Sequence, residues 1–137
     1  MRIAFRWHSF DDPLLGTQYL PICTIEIQKK DGKWKRQVLK IDSGADTILM
    51  QECDCKLLGY SFEECIPYSY EDINRNKVES RIRRFDIKIG DFMINAVPVS
   101  FATNPIADPV LGRSKIFEIL DVFFDSANKY TLFATRP

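Results

Sequence analysis

Apolar residues recur at every second position along much of this chain. Cys23, Ile25 and Ile27 alternate with Thr24, Glu26 and Gln28, the period of a strand with one buried face. Lys30-Asp31-Gly32 follows as a hairpin turn, because glycine tolerates the positive φ such turns use. The chain then returns from Trp34 to Ile41. Thr47-Ile48-Leu49-Met50 predicts another short strand, and Glu52 to Leu58 a brief helix that stops near Gly59. Ile66 to Tyr70 and Lys77 to Ile89 read as the arms of a long hairpin around a polar tip, Glu71 to Asn76. Gly90-Asp91 turns the chain into a strand from Phe92 to Phe101, where Pro98 points to an edge or a bulge. After a loop from Asn104 to Pro109, Val110-Leu111 is a short apolar strand ended by Gly112. Ser114 to Leu120 suits one or two helical turns with Ser114 as N-cap. Asp121 to Asp125 and Tyr130 to Thr135 make a last hairpin. Many short strands separated by turn signals predict a mainly β fold, a barrel or sandwich, with one or two short helices.

No repeat, low-complexity tract or linker interrupts the 137 residues, so residues 1–137 read as one domain. Lysine plus arginine equals aspartate plus glutamate at 19 each. That balance supplies no field to attract nucleic acid or an anionic membrane, and neither is expected as a partner. The basic clusters Lys33 to Arg36 and Arg81 to Arg84 read as solvated strand faces. No apolar run approaches the ~18 residues of a membrane span. Arg2 and Arg6 break the N-terminus too early for a signal peptide, so a cytoplasmic location is expected. Cys23, Cys53, Cys55 and Cys65 fit reduced thiols in such a compartment.

The segment that carries chemistry is Ile41-Asp42-Ser43-Gly44-Ala45-Asp46-Thr47, between two apolar strands. A carboxylate, a small hydroxyl residue, a glycine and an alanine at a strand end suit an acid held in a tight loop. Gly44 lets another backbone approach closely, Ser43 can brace the loop by hydrogen bonding, and Ala45 leaves room for a substrate chain. The alternative is structural: Asp42 makes an Asx turn at a strand end and Asp46 is solvated. A second segment, Val110-Leu111-Gly112-Arg113, has two apolar residues, a glycine and a cation, as suits a buried strand passing beneath a tight loop. Asp46 and Arg113 are then placed to pair, bidentate and partly buried.

Asp42-Ser43-Gly44-Ala45 followed by Val110-Leu111-Gly112-Arg113 resembles the retropepsin family of retroviral-type aspartic peptidases. The stretch from Leu111 through Phe117, with Val122-Phe123-Phe124-Asp125, is similar to the prokaryotic branch in particular, and the resemblance runs from about Pro21 to Phe133. It implies a closed, acid-protease-type β-barrel half, active as a homodimer on peptide or protein substrates, with no cofactor and no metal. Carried over by motif, Asp42 is the catalytic acid and Ser43 hydrogen-bonds across the dimer axis. Gly44 and Asp46 meet substrate backbone, Ala45 supports the loop, and Thr47, Leu111, Gly112 and Arg113 anchor it. The family covers its substrate with a glycine-rich hairpin. Here the corresponding tip, Glu71 to Asn76, has no glycine, and Ile73 takes the place of the apolar tip residue. That departure favours an alternative in which the same fold serves as a catalytically weak or inactive dimerisation or peptide-binding module. Met1 to Tyr19 has no counterpart in the shortest family members and is expected to add an outer strand or help the dimer.

The other candidates are weaker. Cys53 and Cys55 with Cys65 suggest a thiol or metal protein, but a spacing of two on a helix points the thiols to different sides. His8, the single histidine, has no nucleophile motif beside it and reads as a half-exposed strand residue. Phe117, Phe123, Phe124, Tyr130 and Phe133 read as core. No phosphate-binding glycine loop is present.

Overall fold

The computed structural model describes every residue from Met1 to Pro137. Strands take 57% of the chain and helices 9%, so the fold is mainly β. The N-terminal part holds β1 (Arg2–Arg6), β2 (His8–Asp12) and β3 (Gly16–Leu20). The central part runs through β4 (Ile22–Gln28), β5 (Trp34–Ile41), β6 (Ile48–Gln51), α1 (Glu52–Leu57), β7 (Ile66–Glu71), β8 (Lys77–Ile89) and β9 (Phe92–Ala102). It ends with β10 (Val110–Leu111), α2 (Ile116–Ile119), β11 (Leu120–Asp125) and β12 (Tyr130–Thr135). No helix is long and apolar enough to cross a membrane.

Seven strands form the main sheet in the order β4-β5-β10-β6-β9-β8-β7. β4 also pairs with β8 at Glu26↔Lys88 and Ile27↔Ile87, so the sheet curls until its strands meet again across two residue pairs. Alternation explains the curl. Cys23, Ile25 and Ile27 of β4 are buried while their neighbours are not. They pack with Leu39, Ile48, Met50, Ile87, Val99, Phe101 and Leu111 into one apolar cluster. Phe85 bridges Tyr60 and Phe101 through edge-to-face ring contacts at 5.5 and 5.9 Å, a favourable geometry for aromatic quadrupoles.

A second sheet joins the termini in the order β1-β12-β11, with β1 paired from Arg2↔Ala134 to Arg6↔Tyr130. The N-terminal segment therefore supplies an outer strand, one of the two roles expected of it. It also supplies something the alternation did not reveal, a separate hairpin of β2 and β3.

Several local expectations give way to packing. Ser114 does not cap α2: Lys115 precedes the helix at φ 68, and no side chain caps it. The Ser114 amide instead donates to the Asp46 carbonyl at 2.8 Å. Pro98 lies in an interior strand, since β9 pairs with both β6 and β8. The β8 ladder is irregular beside it, where Ala96 takes φ 55, and the β6 ladder begins only at Val99, so the proline sits next to a bulge and is paired on one side alone. Arg81 and Arg83 are only partly exposed: their guanidinium groups lie 5.1 Å over Phe62 and 3.9 Å over Tyr60, where stacking replaces part of the water shell. Of the aromatic residues expected in the core, Phe133 is buried, but Phe123 and Phe124 are 54% and 44% exposed on the edge strand β11. His8 is exposed on β2.

Cys55 faces the core and Cys53 faces out. The Cys55 and Cys65 sulfurs lie 3.5 Å apart as free thiols. Burial pushes the Cys23 thiol up to about 12, and burial followed by the Cys65 contact does the same for Cys55. Folded-state values above the ordinary one keep these thiols protonated, so their contribution to stability is whole below the ordinary thiol value and fades as pH rises past it. A chromogenic disulfide reagent at pH 8 is expected to react rapidly with Cys53 alone in the native protein and with every cysteine in denaturant. Rapid native reaction of Cys55 would contradict this packing.

Candidate active site

The local fold of the Asp42 segment follows from where β10 inserts. β10 runs parallel to β5 and antiparallel to β6, lying between them. The chain joining β5 to β6 cannot take the shortest path and must loop over the end of β10. Three backbone bonds fix that loop to the strand beneath. The Asp42 amide donates to the Leu111 carbonyl at 3.0 Å, the Arg113 amide to Ala45 at 2.9 Å, and the Ser114 amide to Asp46 at 2.8 Å.

Gly112 is the point of closest approach. A Cβ there would sit 2.2 Å from the Thr47 carbonyl oxygen and 2.7 Å from the Thr47 nitrogen. No larger residue fits without moving the loop. The sequence assigned close backbone approach to Gly44, but within the chain an added Cβ at Gly44 would meet only the Asp42 carboxylate, at 3.2 Å. Leu111 and Gly112 are buried, which makes them a floor for the loop. Thr47 is tied down on the other side, its hydroxyl 2.8 Å from that of the fully buried Ser100 on β9.

Asp42 lies at the rim of this loop, half-buried, with Ser43 and Gly44 exposed beside it. Its Oδ1 accepts the Gly44 amide at 2.8 Å, and the Ala45 amide donates to its carbonyl at 3.2 Å. The Asx turn weighed as the structural alternative is thus present. It is also what orients the carboxylate, because Oδ1 is held by the loop while Oδ2 is left without an intrachain partner.

Arg113 behaves differently from the expected bidentate, partly buried pair. One guanidinium nitrogen donates to Asp46 Oδ1 at 2.5 Å and the other to the Ser43 carbonyl at 2.7 Å. The two side chains are 47% and 65% exposed, so solvent weakens the ion pair to a fraction of a kcal/mol by the usual range. The geometric effect outlasts the energetic one: a single planar group spans both ends of the loop.

Above the loop is a cavity of about 280 Å³ that brings Asp42, Gly44, Ala45, Asp46 and Thr47 together with Leu49, Val110, Tyr68, Tyr70, Asp72 and Ile73. A larger, open depression of about 680 Å³ lies between α1 and Tyr60 to Glu63. No residue of the Asp42 loop lines it, so size does not select the site; the loop does. Tyr68 and Tyr70 went unnoticed in the sequence. Their spacing of two on β7 puts them on one face, a signal indistinguishable from ordinary strand alternation. Burial, then the nearby Asp72 charge, pushes the Tyr70 hydroxyl up, so it remains a neutral donor.

The hairpin tip solves the absence of glycine with an aspartate. Asp72 Oδ1 accepts the amides of Asn74 at 2.9 Å and Asn76 at 2.8 Å, and the Arg75 amide donates to the Asp72 carbonyl at 2.9 Å. Arg75 adopts φ 64, the left-handed region where glycine is usual. Ile73 projects from this tip, 97% exposed.

No protein-family model matches the chain, and no curated protein matches it by sequence. Among solved structures it is similar to a retropepsin-like aspartic protease from Rickettsia conorii, with a TM-score of 0.59 and 14% identity. The match covers 94% of this chain and 95% of that one. At that identity the likeness shows fold alone: this chain has a retropepsin-like fold.

Two substitutions test the geometry. Gly112→Ala is expected to destabilise the protein by about 3 kcal/mol or more, read by urea unfolding; a loss below about 1 kcal/mol would mean the loop does not rest on Thr47. Arg75→Gly is expected to add about 1 kcal/mol by releasing the left-handed residue, and a net loss would contradict the tip conformation.

Proposed function

We propose that the chain is one subunit of a homodimeric aspartic endopeptidase in which each copy supplies Asp42. The observation that carries this reading is the half-buried Asp42 carboxylate, oriented by the Gly44 amide at the rim of the cavity, on a retropepsin-like fold. A single chain offers one such loop, and Ser43 and Gly44 beside it are open to a second copy. The whole chain serves as one peptidase domain, and its four free thiols suit a reducing, cytoplasmic setting.

The chemistry follows from placing two carboxylates side by side. At ~3 Å, two like charges cannot both be held without large repulsion, so the pair shares a proton. The ionised partner takes a proton from a water lying between them, and that water attacks the peptide carbonyl. The protonated partner polarises the carbonyl oxygen and later supplies a proton to the leaving amine. The protonation steps belong to the pair and not to either residue.

Other residues hold the parts in place. Ser43 hydrogen-bonds the partner loop across the axis, and Gly44 and Asp46 meet substrate backbone. Arg113 fixes the spacing between Ser43 and Asp46. Leu49, Val110, Tyr68 and Tyr70 give the cleft apolar walls for an extended, largely apolar peptide. Ile73 closes over that peptide from the tip, which moves on a short turn stiffened by Asp72.

Asp42→Asn is expected to abolish cleavage of a peptide library across pH ~4–7, with circular dichroism and dimer content unchanged. Cleavage that persists in that variant would refute the assignment of the acid.

A further inference from the structure

The hairpin of β2 and β3 pairs with no other strand. Both strands are largely exposed. An isolated two-stranded hairpin is marginal in water, yet this one is hydrogen-bonded at both ends. At its tip, Asp12 Oδ1 accepts the amides of Leu14 at 2.8 Å and Leu15 at 2.9 Å. At its root, the Trp7 amide donates to the Lys129 carbonyl at 2.9 Å, and the Trp7 indole donates to the Thr131 hydroxyl at 2.8 Å. The Lys129 ammonium lies 4.8 Å over the Tyr19 ring.

The preformed tip presents apolar surface to solvent. Leu14 is 94% exposed and Leu15 71%. Pro13 to Gly16 carry no charge, and the nearest charged residues are the acids Asp11 and Asp12. Acids flanking two leucines oppose contact with an anionic lipid surface. The hairpin's position selects its occupant. The Ile41 amide donates to the Pro21 carbonyl at 2.9 Å, and Ile22 pairs with Lys40. The hairpin thus leaves the sheet at the end from which the Asp42 loop emerges, one residue from the acid. A five-residue strand reaches roughly 17 Å at ~3.3 Å per residue.

We propose that this hairpin is an arm that docks its Leu14-Leu15 tip onto a second copy of the chain. The inference rests on the reading above, in which two Asp42 loops meet across a two-fold axis. An arm rooted beside Asp42 is then rooted beside that axis and continues the contact the loops begin. The hydrogen bonds at its root and tip hold the arm in one shape and so lower the ordering cost of association. Each copy lends its arm to the other, as a two-fold interface requires.

The test is sedimentation equilibrium of the full chain beside a Leu14→Ser/Leu15→Ser variant and a Leu57→Ser control, the latter altering an exposed leucine on α1. The tip variant is expected to raise the dimer dissociation constant at least tenfold with unchanged circular dichroism, while the control leaves it unaltered. In parallel, benzoylphenylalanine placed at position 14 is expected to give a covalent dimer on illumination. A wild-type dimer that the tip variant does not weaken, or a position-14 cross-link confined to its own chain, would overturn the arm and leave the homodimer standing. A wild-type protein that stays monomeric at all concentrations would overturn the arm and the homodimer together. Cross-linking to a second copy with folded, weakened tip variants would support it.

Discussion

Everything at the candidate site depends on a strand of two residues passing between two others. β10 separates β5 from β6, and the chain that joins them is forced into a loop above it. The loop has little freedom left. Its amides and carbonyls are bonded to Leu111, Arg113 and Ser114, and the Thr47 backbone rests where a side chain on Gly112 would otherwise be. Orientation of the Asp42 carboxylate is therefore a property of backbone packing more than of charge. This explains why a mostly exposed Asp46–Arg113 pair suffices: it trims a geometry that the buried floor already sets.

The same constraint sets a packed side of the site against an open one. Below Asp42, Ile41, Ile48, Met50 and Leu111 are in the core. Above it, the walls come from β7 and its tip, where Ile73 is nearly free of contacts. A peptide bound in the cavity would meet the packed Asp42 loop from one side and the exposed Ile73 side chain from the other. An aspartate-braced turn with Arg75 in the left-handed region is a stiffer hinge than a run of glycines, because side chains restrict the backbone.

The sequence was legible wherever one rule dominated. Period-two alternation located β4 and the end of β8 closely, since Cys23, Ile25, Ile27, Phe85, Ile87 and Ile89 turn one face to the core. Asp42, Ser43 and Gly44 stood out because the residue types made sense only in a tight loop. Legibility failed where distant elements overrode local signals. Ser114 looks like a helix cap but spends its amide on Asp46. Phe123 and Phe124 look like core yet lie on a sheet edge. Arg81 and Arg83 read as solvated because nothing local announces Phe62 and Tyr60 as stacking partners. The hairpin of β2 and β3 was invisible because its alternation is weak, and its partners at the root, Lys129 and Ile41, are far away in the chain.

The most direct measurement is the separation of the two Asp42 side chains in a crystal structure of the assembled protein. The carboxylate oxygens are expected within hydrogen-bonding reach of one another across a two-fold axis, at about 3 Å. Copies whose Asp42 side chains face apart, or lie behind a closed wall with no shared cleft, would contradict it.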